Sequence, residues 1–163
     1  MSGMEKMEKL LKPAVETFRD NDKFRVVSHY DADGISSASV MLSTCLRAGK
    51  KIHLSIVQQL KPEVIERLNQ EDIDNLIFTD LGSSHLDLVN QIDVENIIIL
   101  DHHQVTGELE TGHHVNPHLI GLEEDNISGS GVTYLFSRSV SEDNKNLAHL
   151  AVIGAIGDIQ EEN

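Results

Sequence analysis

Cysteine is nearly missing: Cys45 is the single thiol in 163 residues. An internal disulfide and a cysteine-built metal cluster are therefore excluded, and Cys45 is left to pack as a small apolar residue. Long apolar runs are missing as well. Nothing approaches the ~20 residues of a membrane-spanning helix, and the opening MSGMEKMEKLLKPAVETFRD is amphipathic and mixed in charge, without the apolar centre of a secretory signal. The expectation is a cytoplasmic protein with no membrane partner. Basic residues are scarce, with 13 Lys and Arg against 27 Asp and Glu and a formal charge of −14. That sign opposes a general grip on nucleic acid, so any such contact has to be local, metal-assisted or supplied by another domain. Part of the excess is a solvated acidic face that aids solubility.

What is present suffices for one domain with a core, since 39% of the residues are hydrophobic and 25% charged. Met4, Met7, Leu10, Leu11, Ala14, Val15 and Phe18 recur at the three-and-four spacing of an amphipathic helix. Beyond it, KFRVVSHY, KIHLSIVQQ, NLIFTDLG and NIIILDHH read as strands. GISSASVMLSTCLRAG, KPEVIERLNQ and SSHLDLVNQI read as the helices between them. Continuous apolar strands alternating with helices predict an α/β fold, a mostly parallel sheet of about five strands with helices on both faces. From Gln104 to Asn126 the chain turns polar and irregular. SGSGVTYLFSRSV then reads as a glycine-rich turn opening a helix. NLAHLAVIGAIGDIQ reads as a helix apolar on nearly all sides, hence buried. The charged EEN after Gln160 suggests a domain edge.

In an open parallel sheet, ligands bind beyond the carboxyl ends of the strands, where the strand order reverses. Three predicted strands finish in metal-ligand residue types: VVSHYDAD, IFTD and IIILDHH. A single Asp after a strand is an ordinary turn or cap residue. Gathering His29, Asp31, Asp33, Asp80, Asp101 and His102 within one side-chain reach is repulsive unless cations neutralise the carboxylates. Mixed carboxylate and imidazole donors without thiol suit Mn²⁺ or Mg²⁺ better than zinc or iron. Their number suggests two ions per site bridged by one carboxylate, an arrangement suited to phosphoester hydrolysis. His114 and His118 stand four apart, but Pro117 argues against a helix there, which makes them loop or substrate-edge residues. His53, His85 and His149 read as structural.

SHYDADG, FTDLG, ILDHHQ, HVNPH, SGSGV and AIGDIQ occur in an order that resembles the DHH phosphoesterase superfamily, whose name is the triplet Asp101, His102 and His103. The spacing H-x-D-x-D-G is similar to that of the RecJ single-strand exonucleases and their archaeal, GINS-associated relatives. Small-molecule members carry H-x-x-x-D-x-D instead. The resemblance implies His29, Asp31 and Asp80 around one metal, and Asp33, Asp80, His102 and Asp158 around the other. Asp80 would bridge, Asp101 would orient His102, and His103 would face the scissile phosphate as a catalytic residue. It further implies substrate contacts from His103, Asn116, His118 and the Ser128, Gly129, Ser130, Gly131 turn, whose N–H groups would receive a phosphate.

The implied function is two-metal hydrolysis of phosphodiester bonds in single-stranded DNA or RNA, in a DNA repair or replication setting, with GINS-like proteins as partners. Two alternatives stand beside it: a phosphoesterase for oligonucleotides or small molecules, and a non-catalytic replisome scaffold. Residues 1–163 would be the catalytic domain, without the DHH-associated substrate-binding domain that such enzymes carry after a linker helix. Nuclease activity is expected to be weak in these residues alone.

Overall fold

The computed structural model describes residues 2–122 and 127–161, the side chains only as far as Asp158. The first helix, α1 (Gly3–Asp20), begins with a capping box. Ser2 Oγ accepts from the Glu5 N–H, and the Glu5 carboxylate accepts from the Ser2 N–H, so two end donors are satisfied reciprocally. There follow β1 (Lys23–His29), α2 (Ala32–Arg47), β2 (Lys51–Val57), α3 (Pro62–Gln70) and β3 (Asn75–Thr79). A 3₁₀ turn over Ser83–His85 leads into the single-turn α4 (Leu86–Val89), then β4 (Asn96–Leu100), β5 (His113–Val115), α5 (Gly129–Val140) and α6 (Ala148–Glu161). Among the described residues no helix is long and apolar enough to cross a membrane.

The five strands are all parallel in the order β2-β1-β3-β4-β5. Alternate residues of each strand face opposite sides, and both sides are apolar. Val26, Ile77, Ile98 and Leu100 join Phe18, Met41 and Phe136 of α1, α2 and α5, while Val27, Leu76, Phe78 and Ile99 join Ile65 and Leu68 of α3 and Leu86 and Val89 of α4. Phe18 anchors the first layer, stacked on Phe24 at 4.9 Å and edge-on to Phe136 at 5.5 Å. The α/β prediction with helices on both faces holds.

Strand order reverses direction between β1 and β3, so the crevice lies at their carboxyl ends. Register completes the placement. Ser28 pairs with Thr79 and Thr79 with Leu100, so His29, the last residue of β1, stands level with Asp80 and Asp101, each one step past the end of β3 and β4.

Three local expectations are corrected. The fifth strand forms inside the segment read as irregular, because three residues lacking an apolar run gain their strand geometry from pairing with Ile98, Ile99 and Leu100; residues 123–126 of that segment lie outside the described residues. Ser83–Ile92 yields only a 3₁₀ turn and one turn of helix rather than a continuous one. Finally, α6 is not buried all round. It packs on α2 and α5 through Ala151 and Gly154, while Val152, Ile153 and Ile156 are 57%, 56% and 53% exposed.

Candidate metal centre

Each ligand type is delivered by a local rule. At the end of β1, Asp31 is the N-cap of α2 and accepts from the Gly34 N–H at 2.8 Å. Asp33 turns away from its own helix to the start of α5, where it accepts from the N–H groups of Gly129 (2.7 Å) and Ser130 (3.0 Å). Asp80 follows β3 with φ at +54°, a left-handed conformation that Asp tolerates better than bulky residues do. Its N–H donates to Leu100 O at 2.8 Å, carrying the ladder one step further. Glycine permits the closure. A Cβ on Gly129 would collide with the Asp80 carboxylate, and one on Gly154 with Asp33 and Ser130.

The side chains converge. His102 Nε2 lies 3.4 Å from Asp80 Oδ1, 3.7 Å from Asp33 Oδ2 and 3.8 Å from Asp158 Oδ2. His29 Nδ1 lies 2.6 Å from Asp31 Oδ2 and 3.6 Å from Asp80 Oδ2. Neither His29 contact is aligned as a hydrogen bond. Both Asp80 oxygens and both His102 ring nitrogens are likewise buried without a hydrogen-bond partner. Among the described residues three triples keep one donor atom each within 4.8 Å of one another: His29, Asp31, Asp80; Asp33, His102, Asp158; and Asp80, His102, His103. Buried carboxylate and imidazole atoms left unpaired around one space are the donor set of a hard-to-intermediate divalent cation. The residues present fit such an ion.

Electrostatics say the same. Burial drives the Asp80 carboxyl up from 3.8 to about 6, and the Asp31 carboxylate beside His29 lifts that imidazole from 6.5 to about 10. Burial opposes protonation of His102 and His103. Asp80 beside the first and Asp101 bonded to the second outweigh it, and both rise from 6.5 to about 9. Burial also raises Asp158. Protons on the imidazoles therefore do the neutralising that a divalent cation takes over when it binds.

Asp101 is fully buried and is part of none of these triples. It was expected to orient His102; instead its Oδ1 accepts from His103 Nδ1 at 2.7 Å and from the His102 main-chain N–H at 2.8 Å, while Oδ2 accepts from the Ser83 N–H at 2.9 Å. Burial works against its ionisation, but the His103 and Ser83 bonds hold it well below the ordinary carboxylate range. The expected phosphate seat at Ser128–Gly131 is also corrected. The Gly129 and Ser130 N–H groups are taken by Asp33, and the Gly131 N–H by Ser128 Oγ at 3.2 Å. Asn116 is completely buried and bonded within the protein, and His118 lies in the 3₁₀ turn Pro117–Ile120 with Nε2 buried.

His103 keeps 35% of its side chain exposed and opens on a cleft of about 420 Å³. Tyr30, Gln58, Gln59, Lys61, Ser84 and His85 line the rest of that cleft, none of which the motifs single out. Only their position beyond the same strand ends could have signalled them. A second cleft of about 370 Å³ lies at the amino ends of β1, β2 and β3, where the Arg25 guanidinium is paired with Glu71.

The model of the DHH family, N-terminal domain, matches residues 23–155. An uncharacterised protein of Methanocaldococcus jannaschii is 34% identical over 169 residues, an alignment covering 98% of this chain and 38% of that protein. The single-stranded-DNA-specific exonuclease RecJ of Thermus thermophilus is 27% identical over 157 residues, covering 88% of this chain and 23% of its own length. The crystal structure of an exonuclease RecJ bound to manganese superposes with a TM-score of 0.73 at 23% identity, covering 98% of this chain and 44% of that one. The chain thus spans 38% and 23% of the two protein relatives and 44% of the manganese-bound RecJ structure.

Proposed function

The chain belongs to the DHH family, and from that membership we propose that it is a divalent-metal-dependent phosphodiesterase acting on single-stranded nucleic acid. One observation carries the reading: Asp80, 1% exposed, sits between His29 and His102 with both carboxylate oxygens unpartnered. A structural carboxylate in that position would cost several kcal/mol without a counter-charge, and two ligand triples flank it. His29, Asp31 and Asp80 would hold one Mn²⁺ or Mg²⁺, and Asp33, Asp80, His102 and Asp158 the other. When bound, such ions supply a water that loses its proton near neutral pH and a positive seat for phosphoryl oxygens.

The remaining roles belong to the side chains. His103 faces the cleft with Nδ1 fixed to Asp101, so its Nε2 is the group free to meet a non-bridging or leaving oxygen and to offset charge that develops there. Asp101 keeps that imidazole charged and aimed. Lys61, Gln58 and Gln59 also line this cleft, and the Lys61 ammonium is the group there that can meet the phosphate of a bound strand. The single-strand preference rests on likeness to RecJ, and an oligonucleotide-sized substrate is the reading to be tested against it.

The test is calorimetric titration of the chain with Mn²⁺, followed by hydrolysis of end-labelled single strands, a dinucleotide and bis(p-nitrophenyl) phosphate. Metal binding and phosphodiester cleavage, both lost in Asp80→Ala, are expected. Absence of cleavage on every substrate at saturating Mn²⁺ refutes the proposal.

A further inference from the structure

We infer that Ser83, His114 and Asn116 are positioning residues for His103: with Asp101 they close a buried circuit of hydrogen bonds that fixes where its imidazole enters the cleft. The inference rests on the phosphodiesterase reading for its consequence, not for its geometry. None of the three belongs to a ligand triple among the described residues, and no motif assigns them this work.

The circuit has four links. Ser83 donates its N–H to Asp101 Oδ2 at 2.9 Å. Asp101 Oδ1 accepts from His103 Nδ1 at 2.7 Å. The His103 carbonyl accepts from Asn116 Nδ2 at 2.9 Å. That same amide nitrogen donates its other hydrogen to Ser83 Oγ at 2.8 Å, which returns the path to its start. Asn116 Oδ1 accepts from the His118 N–H at 2.9 Å, so both its donors and its acceptor are engaged. Because Ser83 Oγ accepts from Asn116, its own hydrogen is free for His114 Nε2, 2.8 Å away. Burial holds His114 below its ordinary pKa, in line with a neutral acceptor there.

Ser83, Asp101 and Asn116 are completely buried, while the His103 side chain is 35% exposed and opens on the cleft, with Asp101 behind it. His103 is therefore gripped at two points, its ring Nδ1 by Asp101 and its main-chain carbonyl by Asn116, and both grips meet on one serine. The chain between β4 and β5 gives His103 no regular element of its own, so the circuit supplies the rigidity that a helix or strand would have. Fully satisfied buried networks hold one geometry. Partners of this kind, once removed, typically lower activity 10- to 100-fold, as reacting groups move off line.

Ser83→Ala keeps the N–H to Asp101 and deletes only the hydroxyl. The expected result with Mn²⁺ and bis(p-nitrophenyl) phosphate is a 10- to 100-fold fall in kcat, with KM and Mn²⁺ affinity within about twofold of wild type. His114→Gln, which retains a polar atom near the Nε2 position, should restore most of the activity that His114→Leu loses, at matched melting temperatures. A readout free of catalysis accompanies these. In ¹⁵N-histidine-labelled, metal-free protein the His103 Nδ1 proton should be protected from exchange in wild type and His114→Gln, and unprotected in Ser83→Ala and His114→Leu. Unchanged kcat and unchanged protection in Ser83→Ala overturn the inference. A protection pattern as expected in a protein that cleaves no phosphodiester upholds the circuit and rejects the phosphodiesterase reading instead.

Discussion

Replacing Asp80 by Asn should make the metal-free protein more stable while removing its capacity to bind a cation. The reason is the burial of an ionised carboxylate with no hydrogen-bond donor on either oxygen. In the folded chain the carboxyl is held at about 6 instead of 3.8. At about 1.4 kcal/mol for each pH unit of displacement, the ionised folded form carries a penalty of about 3 kcal/mol. The sign follows from the raised value. The penalty is absent below pH 3.8, grows through the window from 3.8 to about 6, and is complete above it. Asn has nearly the same shape and never ionises, so Asp80→Asn removes this penalty; the lost attraction to the His102 and His29 imidazoles offsets part of the gain, leaving a net stabilisation of about 1–2 kcal/mol at pH 8 and almost nothing at pH 4. For a chain of this size that corresponds to a melting temperature roughly 2–8 °C higher. Calorimetric melts of both proteins in EDTA, from pH 4 to 8, measure it. Added Mn²⁺ should reverse the order, since only the wild type gains from binding. If Asp80→Asn melts below wild type in EDTA at pH 8, Asp80 is a structural residue and the reasoning is wrong.

Mn²⁺ affinity should climb steadily between pH 6.5 and 8.5, because the cation has to displace protons that His29 and His102 hold up to about 10 and about 9; titration calorimetry in buffers of different ionisation enthalpy should register proton release, and a pH-independent affinity counts against this centre. Gly129→Ala should leave the fold intact but lower metal affinity by more than tenfold, since the new methyl group displaces the Asp80 carboxylate; binding within twofold of wild type would mean that α5 can retreat at no expense to the site. Phe18→Ala should destabilise the chain by about 3–5 kcal/mol, read as a drop in denaturant midpoint, because Phe18 fills the contact between Phe24 and Phe136; a loss below about 1 kcal/mol would place the weight of that layer elsewhere.

β1, β3 and β4 were legible because each is buried on both faces and reads as a largely apolar run bounded by turn residues, while the edge strand β2, which is half exposed, was legible from the alternation of Ile52, Leu54 and Ile56 with polar residues. β5 was not, since His113–Val115 has one neighbouring strand and no apolar run. The ligand residues were legible from a single rule, polar donors at the ends of apolar strands. What they do to one another was not. That Asp33 fills the amino end of α5, 96 residues away, cannot be read from SGSG, which looks like a vacant anion seat until its occupant is seen. Adjacency misled at Asp101, whose side chain passes the neighbouring imidazole and holds the next one. Ser83 is invisible in sequence, being a common residue whose importance comes only from what surrounds it. The apolar periphery of α6 shows that composition reports what a helix could bury, not whether a partner element stands on each side.

Every ladder of the sheet is parallel, and this has a consequence for how the molecule comes into being. No two neighbouring strands can be joined by a tight hairpin, so every pairing waits for a crossover of a dozen or more residues. β1 and β2 can associate early, but the inner edge of β1 stays open until β3 has been synthesised and slotted against it, and β4 follows only then. Such non-local assembly is slow by the standards of small domains, on the order of milliseconds to seconds. The rim that carries the carboxylates is finished last, so a nascent chain acquires its chemistry only once the segment through Asp158 has emerged.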